Sequence, residues 1–164
     1  MELIILSEQF GVFMETESGF EKLEGFSELG FESGAQSYVR KYFSAREKAV
    51  DIAESLPVIK YKFDRLKNNA VHQEIVKITD DRLVGEDAVK CFVFVDFSDE
   101  SEGMYSATKQ CFAVKGIKRD SGQGYFEYSG NLIAKKDVEK GCFVLNKDLK
   151  SGEFVSERRG ILCD

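Results

Sequence analysis

Tryptophan is absent from the 164 residues, proline occurs once, at Pro57, and histidine once, at His72. A single histidine leaves no partner for a histidine-based transition-metal site, and any catalytic triad would have to run through that one ring. Scarce proline leaves the chain free to form strand ladders, while 14 glycines supply turns. The four cysteines, Cys91, Cys111, Cys142 and Cys163, form no C-x-x-C pair, which excludes a zinc ribbon or a thioredoxin-like motif. They read as small buried hydrophobes of a protein made and kept in a reducing cytoplasm. No apolar run is long enough for a spanning helix, and the N-terminus lacks the basic start of a signal peptide. Cations are outnumbered, 23 against 29 carboxylates for a net charge of −6, which argues against a dedicated nucleic-acid binder.

What is abundant is phenylalanine, with 14 residues. Phenylalanine carries no hydrogen-bonding group, so each ring buries area against this chain's own core or against a neighbour. From Phe10 to Phe31 aromatic residues alternate with acids and glycines, a pattern of hairpins turning at Gly19, Gly25 and Gly30. Val58 to Phe63 alternates as a half-buried strand, with Ile59, Tyr61 and Phe63 on one face. Residues 36–43 also read as a strand. The stretch 44–57 reads as a charged, irregular excursion with a helical turn at 45–53. Asn68 or Asn69 can cap a helix over about 69–80 whose stripe is Val71, Ile75 and Ile78. Strands follow at 87–97, 105–119, 125–135, 141–145 and 153–155. In the first of these both parities are apolar, Val93 and Val95 on one and Phe92 and Phe94 on the other, so both faces should be covered. The expectation is one mainly-β domain over 1–164: two packed antiparallel sheets, sandwich- or barrel-like, one short α-helix on the sheet, and a loose tail at 158–164.

No chemistry converges in this pattern. His72 reads as an ordinary helix-surface or helix–sheet contact. The acidic run from Asp96 to Glu102 lacks the glycine of an EF-hand and reads as a solvated turn. Lys115, Lys118 and Arg119 beside Tyr125 read as a solvated strand end, and Gly116, Gly122 and Gly124 do not complete a dinucleotide fingerprint. No catalytic residue, cofactor or metal site is expected.

One resemblance adds to this. The ordered segments Tyr38–Tyr42, Ala49–Ala53, Pro57–Tyr61, Phe63–Arg65, Asn69–Val76, Ile78–Asp80, Leu83–Val89, Val93–Phe97, Tyr105–Lys109, Phe112–Val114 and Tyr128–Gly130 resemble tail tube proteins of Gram-positive phages and prophages. The resemblance implies a self-assembling subunit whose sheets join around a ring, commonly a hexamer, with rings stacked into a hollow tube. It implies passage of double-stranded DNA without specific binding, and contact with other tail proteins such as the tape measure, terminator or baseplate. It places the protein in the tail of a virion or tail-like particle, assembled in the bacterial cytoplasm and without membrane contact. On this reading Arg46, Glu47, Lys48, Asp51 and Glu54 belong to a loop reaching a neighbouring subunit or ring. Phe92, Phe94, Asp96, Lys109 and Cys111 belong to a lumen-side or inter-subunit sheet. The competing expectations are a monomeric β-sandwich binding module and a terminator or connector that forms rings without a filament.

Overall fold

The computed structural model describes residues 9–33, 35–40, 49–122 and 124–157; of 35–40, 49–55, 136 and 137 it describes the backbone alone. Residues 1–6, whose apolar run reads as a short strand, the tail at 158–164 and Cys163 lie outside the described residues. In chain order the elements are β1 (Phe10–Thr16), β2 (Gly19–Lys22), β3 (Phe26–Glu32), β4 (Ala35–Arg40), β5 (Ala49–Ser55), β6 (Val58–Asp64), α1 (Ala70–Asp80), β7 (Val89–Ser101), β8 (Met104–Asp120), β9 (Glu127–Leu145) and β10 (Ser151–Ser156).

The fold is mainly β, with the one α-helix where its stripe places it. Asn69 caps α1, its Oδ1 accepting the His72 N–H at 3.1 Å, and Val71, Ile75 and Ile78 are buried. The strands differ from two packed sheets. Eight of them form one antiparallel sheet in the order β10-β2-β1-β7-β8-β9-β6-β3, and β10 also pairs with β9. That extra pairing closes β9, β8, β7, β1, β2 and β10 into a six-stranded barrel, with β6 and β3 as a flap beyond it.

One sheet does the work of two because its longest strands bend. β8 runs for 17 residues and β9 for 19, and their register breaks between Gln110 and Phe112 and again between Gly116 and Lys118. The stretches at 125–135 and 141–145, expected to be separate strands, are therefore two halves of β9. One half pairs with β6 and the other with β10.

The bend creates two cores on opposite faces of β7. Phe92, with Met14, Tyr61, Phe63, Phe112, Tyr128 and Leu132, packs under α1, while Val93 and Val95 pack inside the barrel with Phe13, Ala107 and Phe143. Phe92 and Val93 are both 0% exposed, so the strand read as covered on both faces is covered on both faces.

Close packing needs two glycines here, one of them directly beneath α1. Gly116 and Gly130 are cross-strand partners, and a Cβ on Gly116 would strike the Thr79 side chain of α1. A Cβ on Gly130 would strike the Lys115 carbonyl and the Tyr61 hydroxyl. Gly30, by contrast, lies inside β3 and makes no turn; the turns fall at residues 17–18 and 23–25.

Candidate assembly interface

Strand edges, not side-chain clusters, distinguish one part of this molecule. Among the described residues, barrel closure gives seven of the eight sheet strands a neighbour on each side, and β3 alone has one. β3 and β6 pair up to Glu32↔Val58, and β4 and β5 resume the pairing at Ala35↔Ser55. The four strands are therefore two arms of one long ribbon, interrupted after Glu32 and at 56–57, where Pro57 stands. Beyond that break, among the described residues, β4 and β5 pair only with each other. Their length corresponds to a reach of about 20 Å, and no described strand covers either outer edge.

This alters the reading of 44–57. Residues 49–55 are a strand, not a loop or helical turn, because Val50, Asp51 and Ile52 find register partners in Val39, Tyr38 and Ser37. Asp51 and Glu54 lie on β5, whereas Arg46, Glu47 and Lys48 lie outside the described residues.

The residues expected to line a lumen-side or inter-subunit sheet are not brought together as one surface. Phe92 is enclosed by this chain's own core, and Phe94 packs half-buried against it, 5.6 Å from Phe31 and 5.9 Å from Phe112 between ring centroids. Asp96 turns back on its own loop, its Oδ1 accepting from the Ser98 N–H and hydroxyl. Lys109 sits at the barrel mouth with its Nζ 5.7 Å above the Phe20 ring and 6.0 Å above that of Phe154.

Cys111 is joined to Cys91 in a disulfide, and Cys142 is disulfide-bonded as well. The reading of the cysteines as separate small hydrophobes is thus corrected. Cys91 and Cys111 are direct partners on β7 and β8, a proximity that a spacing of 20 residues does not disclose.

The solvent-open face of β6, β9 and β8 carries rows set by the register, Lys60–Asn131–Lys115 and Lys62–Ser129–Lys118. Its cations are interleaved with carboxylates. Lys60 meets Glu32 at 2.8 Å, Lys62 meets Glu127 at 3.2 Å and Lys118 meets Asp120 at 3.0 Å. The Lys60–Glu32 hydrogen bond raises the Lys60 pKa, and the Lys118 ammonium holds the Asp120 carboxyl below its ordinary value. Arg119 lies 5.8 Å over the Phe126 ring and 3.5 Å from Asp80. The basic strand end is thereby engaged within the chain.

His72 is fully buried, deeper than a surface contact. Its Nδ1 accepts the Leu66 N–H at 3.0 Å, which leaves Nε2 as the donor to the Glu24 carbonyl at 2.6 Å. The ring packs 4.4 Å from Phe63 and 5.5 Å from Phe26 between centroids, and burial lowers its pKa. Sequence reasoning missed this clamp, since its two partners are backbone groups 6 and 48 residues away. Among the described residues no group of three or more His, Cys, Asp and Glu side chains is placed to hold a metal ion, and no helix is long and apolar enough to cross a membrane.

No protein-family model matches the chain, and no curated protein matches it. Two solved structures are similar in outline. One belongs to the cryo-EM structure of the anti-feeding prophage (AFP) baseplate, at 8% identity and a TM-score of 0.49, covering 85% of this chain and 97% of that one. The other belongs to the sheath/tube terminator of an extracellular contractile injection system, PVC, in its extended state, at 13% identity and a TM-score of 0.45, covering 85% of this chain and 98% of that one. Both are components of tail-like assemblies. At these values the likeness concerns the course of the fold and carries no function across.

Proposed function

We propose that this protein is a non-enzymatic structural subunit of a phage tail or tail-like particle, forming rings that stack into a tube. The observation that carries the reading is the ribbon β4–β5. An isolated two-stranded ribbon is at best marginally stable in water, and unpaired edges left exposed invite pairing with any strand that fits. Among the described residues the barrel has satisfied nearly every other edge, so the edges of β3, β4 and β5 are the ones a second copy can use. Sheet continuation between copies would run from the β3–β4 edge of one subunit to the β5 edge of the next. This places Asp51 and Glu54 at the subunit boundary and keeps β7, an interior strand with both faces buried, away from it. A net negative subunit suits a conduit that DNA must traverse without sticking, because phosphate contacts would act as friction.

The test is to remove the ribbon cleanly. Glu32 and Val58 are cross-strand partners, so replacing residues 33–57 with Asn-Gly closes β3 and β6 as a two-residue hairpin. The wild-type protein, concentrated and viewed by negative-stain electron microscopy, should form stacked rings or tubes. The shortened protein should fold and remain monomeric. Isolated wild-type rings would point instead to a terminator or connector, and a wild-type monomer at all concentrations would overturn the assembly reading. Tubes formed equally well by the shortened protein, or by Asp51→Arg and Glu54→Arg, would overturn the role given to the ribbon.

A further inference from the structure

Cys111 stands where β8 and β9 part. Gln110 is opposite Val138 but Phe112 is opposite Ala134, so the β8–β9 register shifts at Cys111. The Gln110 side chain reaches across the shift, its Nε2 donating to the Lys135 carbonyl at 2.8 Å. On its other side Cys111 faces Cys91, and there the link is covalent. Along β7 the same row marks a change of surroundings. The odd-numbered residues Val89 and Cys91 are half-buried, while Val93 and Val95 are fully buried inside the barrel. The disulfide therefore joins β7 to β8 on the barrel-side face, beyond the end of the barrel core, at the seam where the β8–β9 register shifts.

The bond is also within reach of solvent. Both cysteines are half-buried, and both line a cavity of about 340 Å³ together with Glu86, Lys109, Lys135 and Glu139. The charged lining is balanced, two ammonium groups against two carboxylates, with Lys135 paired to Glu86 at 2.7 Å. Cys142 differs, being fully buried on β9.

We propose that Cys91–Cys111 is a redox-operated staple of this seam, made and broken by exchange with a small thiol entering through that cavity. A thiolate of the small molecule attacks one sulfur and forms a mixed disulfide, and the released cysteine thiolate takes a proton. A second small thiol attacks the mixed disulfide, frees the other cysteine and leaves as the small-molecule disulfide. The protein gains two electrons and two protons, and two small thiols are oxidised to their disulfide. The reverse reaction, with a small-molecule disulfide as oxidant, closes the staple. Closed, it ties β7 to β8 at this seam; open, it lets the seam unfold locally while α1 stays in place.

The test uses the full chain, native and without denaturant, treated with dithiothreitol and then iodoacetamide, with peptide-resolved mass spectrometry and amide hydrogen exchange. Cys91 and Cys111 should be alkylated while Cys142 stays protected. Amides of 90–93 and 109–112 should exchange at least tenfold faster through local opening, on the order of what losing one local constraint gives, with those of α1 unchanged. Cys91→Ser/Cys111→Ser should show the same exchange pattern without reductant. Alkylation at Cys91 and Cys111 only after denaturation would overturn the proposal. So would unchanged exchange at the seam on reduction, or loss of α1 protection together with it. If the double variant fails to fold, the reductant experiment on the wild-type chain still decides.

Discussion

Replacing His72 with phenylalanine separates the two things this ring does, packing and hydrogen bonding. Phenylalanine keeps an aromatic ring against Phe63 and Phe26 but leaves the Leu66 N–H and the Glu24 carbonyl without their partner. Each orphaned group costs about 1 kcal/mol at a partly buried site, so His72→Phe should lose about 2 kcal/mol at pH 7.5. The wild-type protein carries a second, pH-dependent signature. Its ring is held neutral, because protonation would place an Nδ1–H against the Leu66 N–H, donor against donor. Burial lowers the folded-state pKa below the ordinary value of 6.5. A depressed pKa contributes stability that is fully present above the unfolded-state value and is lost as pH falls from there toward the folded-state pKa. The slope there cannot exceed about 1.4 kcal/mol per pH unit for one proton. Urea unfolding at pH 7.5 and pH 5.5 checks this. The gap between wild type and His72→Phe should narrow at pH 5.5 by up to about 1.4 kcal/mol, since the variant has no ring to protonate. Carboxylates titrate in both proteins and cancel in the difference. A gap that stays constant across this range would refute the neutral-clamp argument.

Gly130→Ala should be costly, about 1–3 kcal/mol in denaturant unfolding, because its Cβ meets the Lys115 backbone carbonyl as well as the Tyr61 hydroxyl. Adding Tyr61→Phe should fail to rescue it, since the backbone clash remains; full rescue would show that only the hydroxyl was in the way. Tyr61→Phe alone should leave stability within about 1 kcal/mol of wild type, because the buried hydroxyl has no hydrogen-bond partner of good geometry to lose. Desolvation pushes that hydroxyl up to about 12, with the nearby Thr79 hydroxyl working in the opposite direction. A spectrophotometric alkaline titration should therefore contain a late component that Tyr61→Phe removes.

Local pattern made part of this fold legible. α1 could be placed from Asn69 and the Val71, Ile75, Ile78 stripe because capping and a 3.6-residue period are properties of adjacent residues. The double burial of β7 was legible for the same reason, apolar residues occurring at both parities. β5 was not, because Ala49–Ser55 includes Asp51 and Glu54 and becomes a strand only through its ladder with β4. β9 was read as two strands because its polar middle, Lys135 to Lys140, resembles a connection; its continuity depends on β8 alongside. Gly116 looked like a failed fragment of a nucleotide motif, and its purpose, room for Thr79, is visible only with α1 in place. The Cys91–Cys111 pairing and the β10–β9 closure are long-range facts of register with no local signature.

That closure changes which evidence bears on assembly. A phenylalanine-rich chain with apolar residues on both faces of a strand invites the inference that neighbouring subunits cover the surplus. Here Phe92, Phe112 and Val114 are spent on a core beneath α1, and Val93 and Val95 on a second core inside the barrel. Two cores need two apolar faces, which accounts for these buried side chains, while Phe10, Phe31, Ile117 and Phe126 stay exposed. Backbone edges can be read as well, because a barrel consumes them in pairs and leaves a countable remainder. Among the described residues the remainder lies along β3, β4 and β5, and an assembly that used sheet continuation between them would begin there. A substitution that alters assembly while leaving that ribbon intact, for example at the exposed Ile133 on the open face of β9, would show that faces rather than edges join the copies.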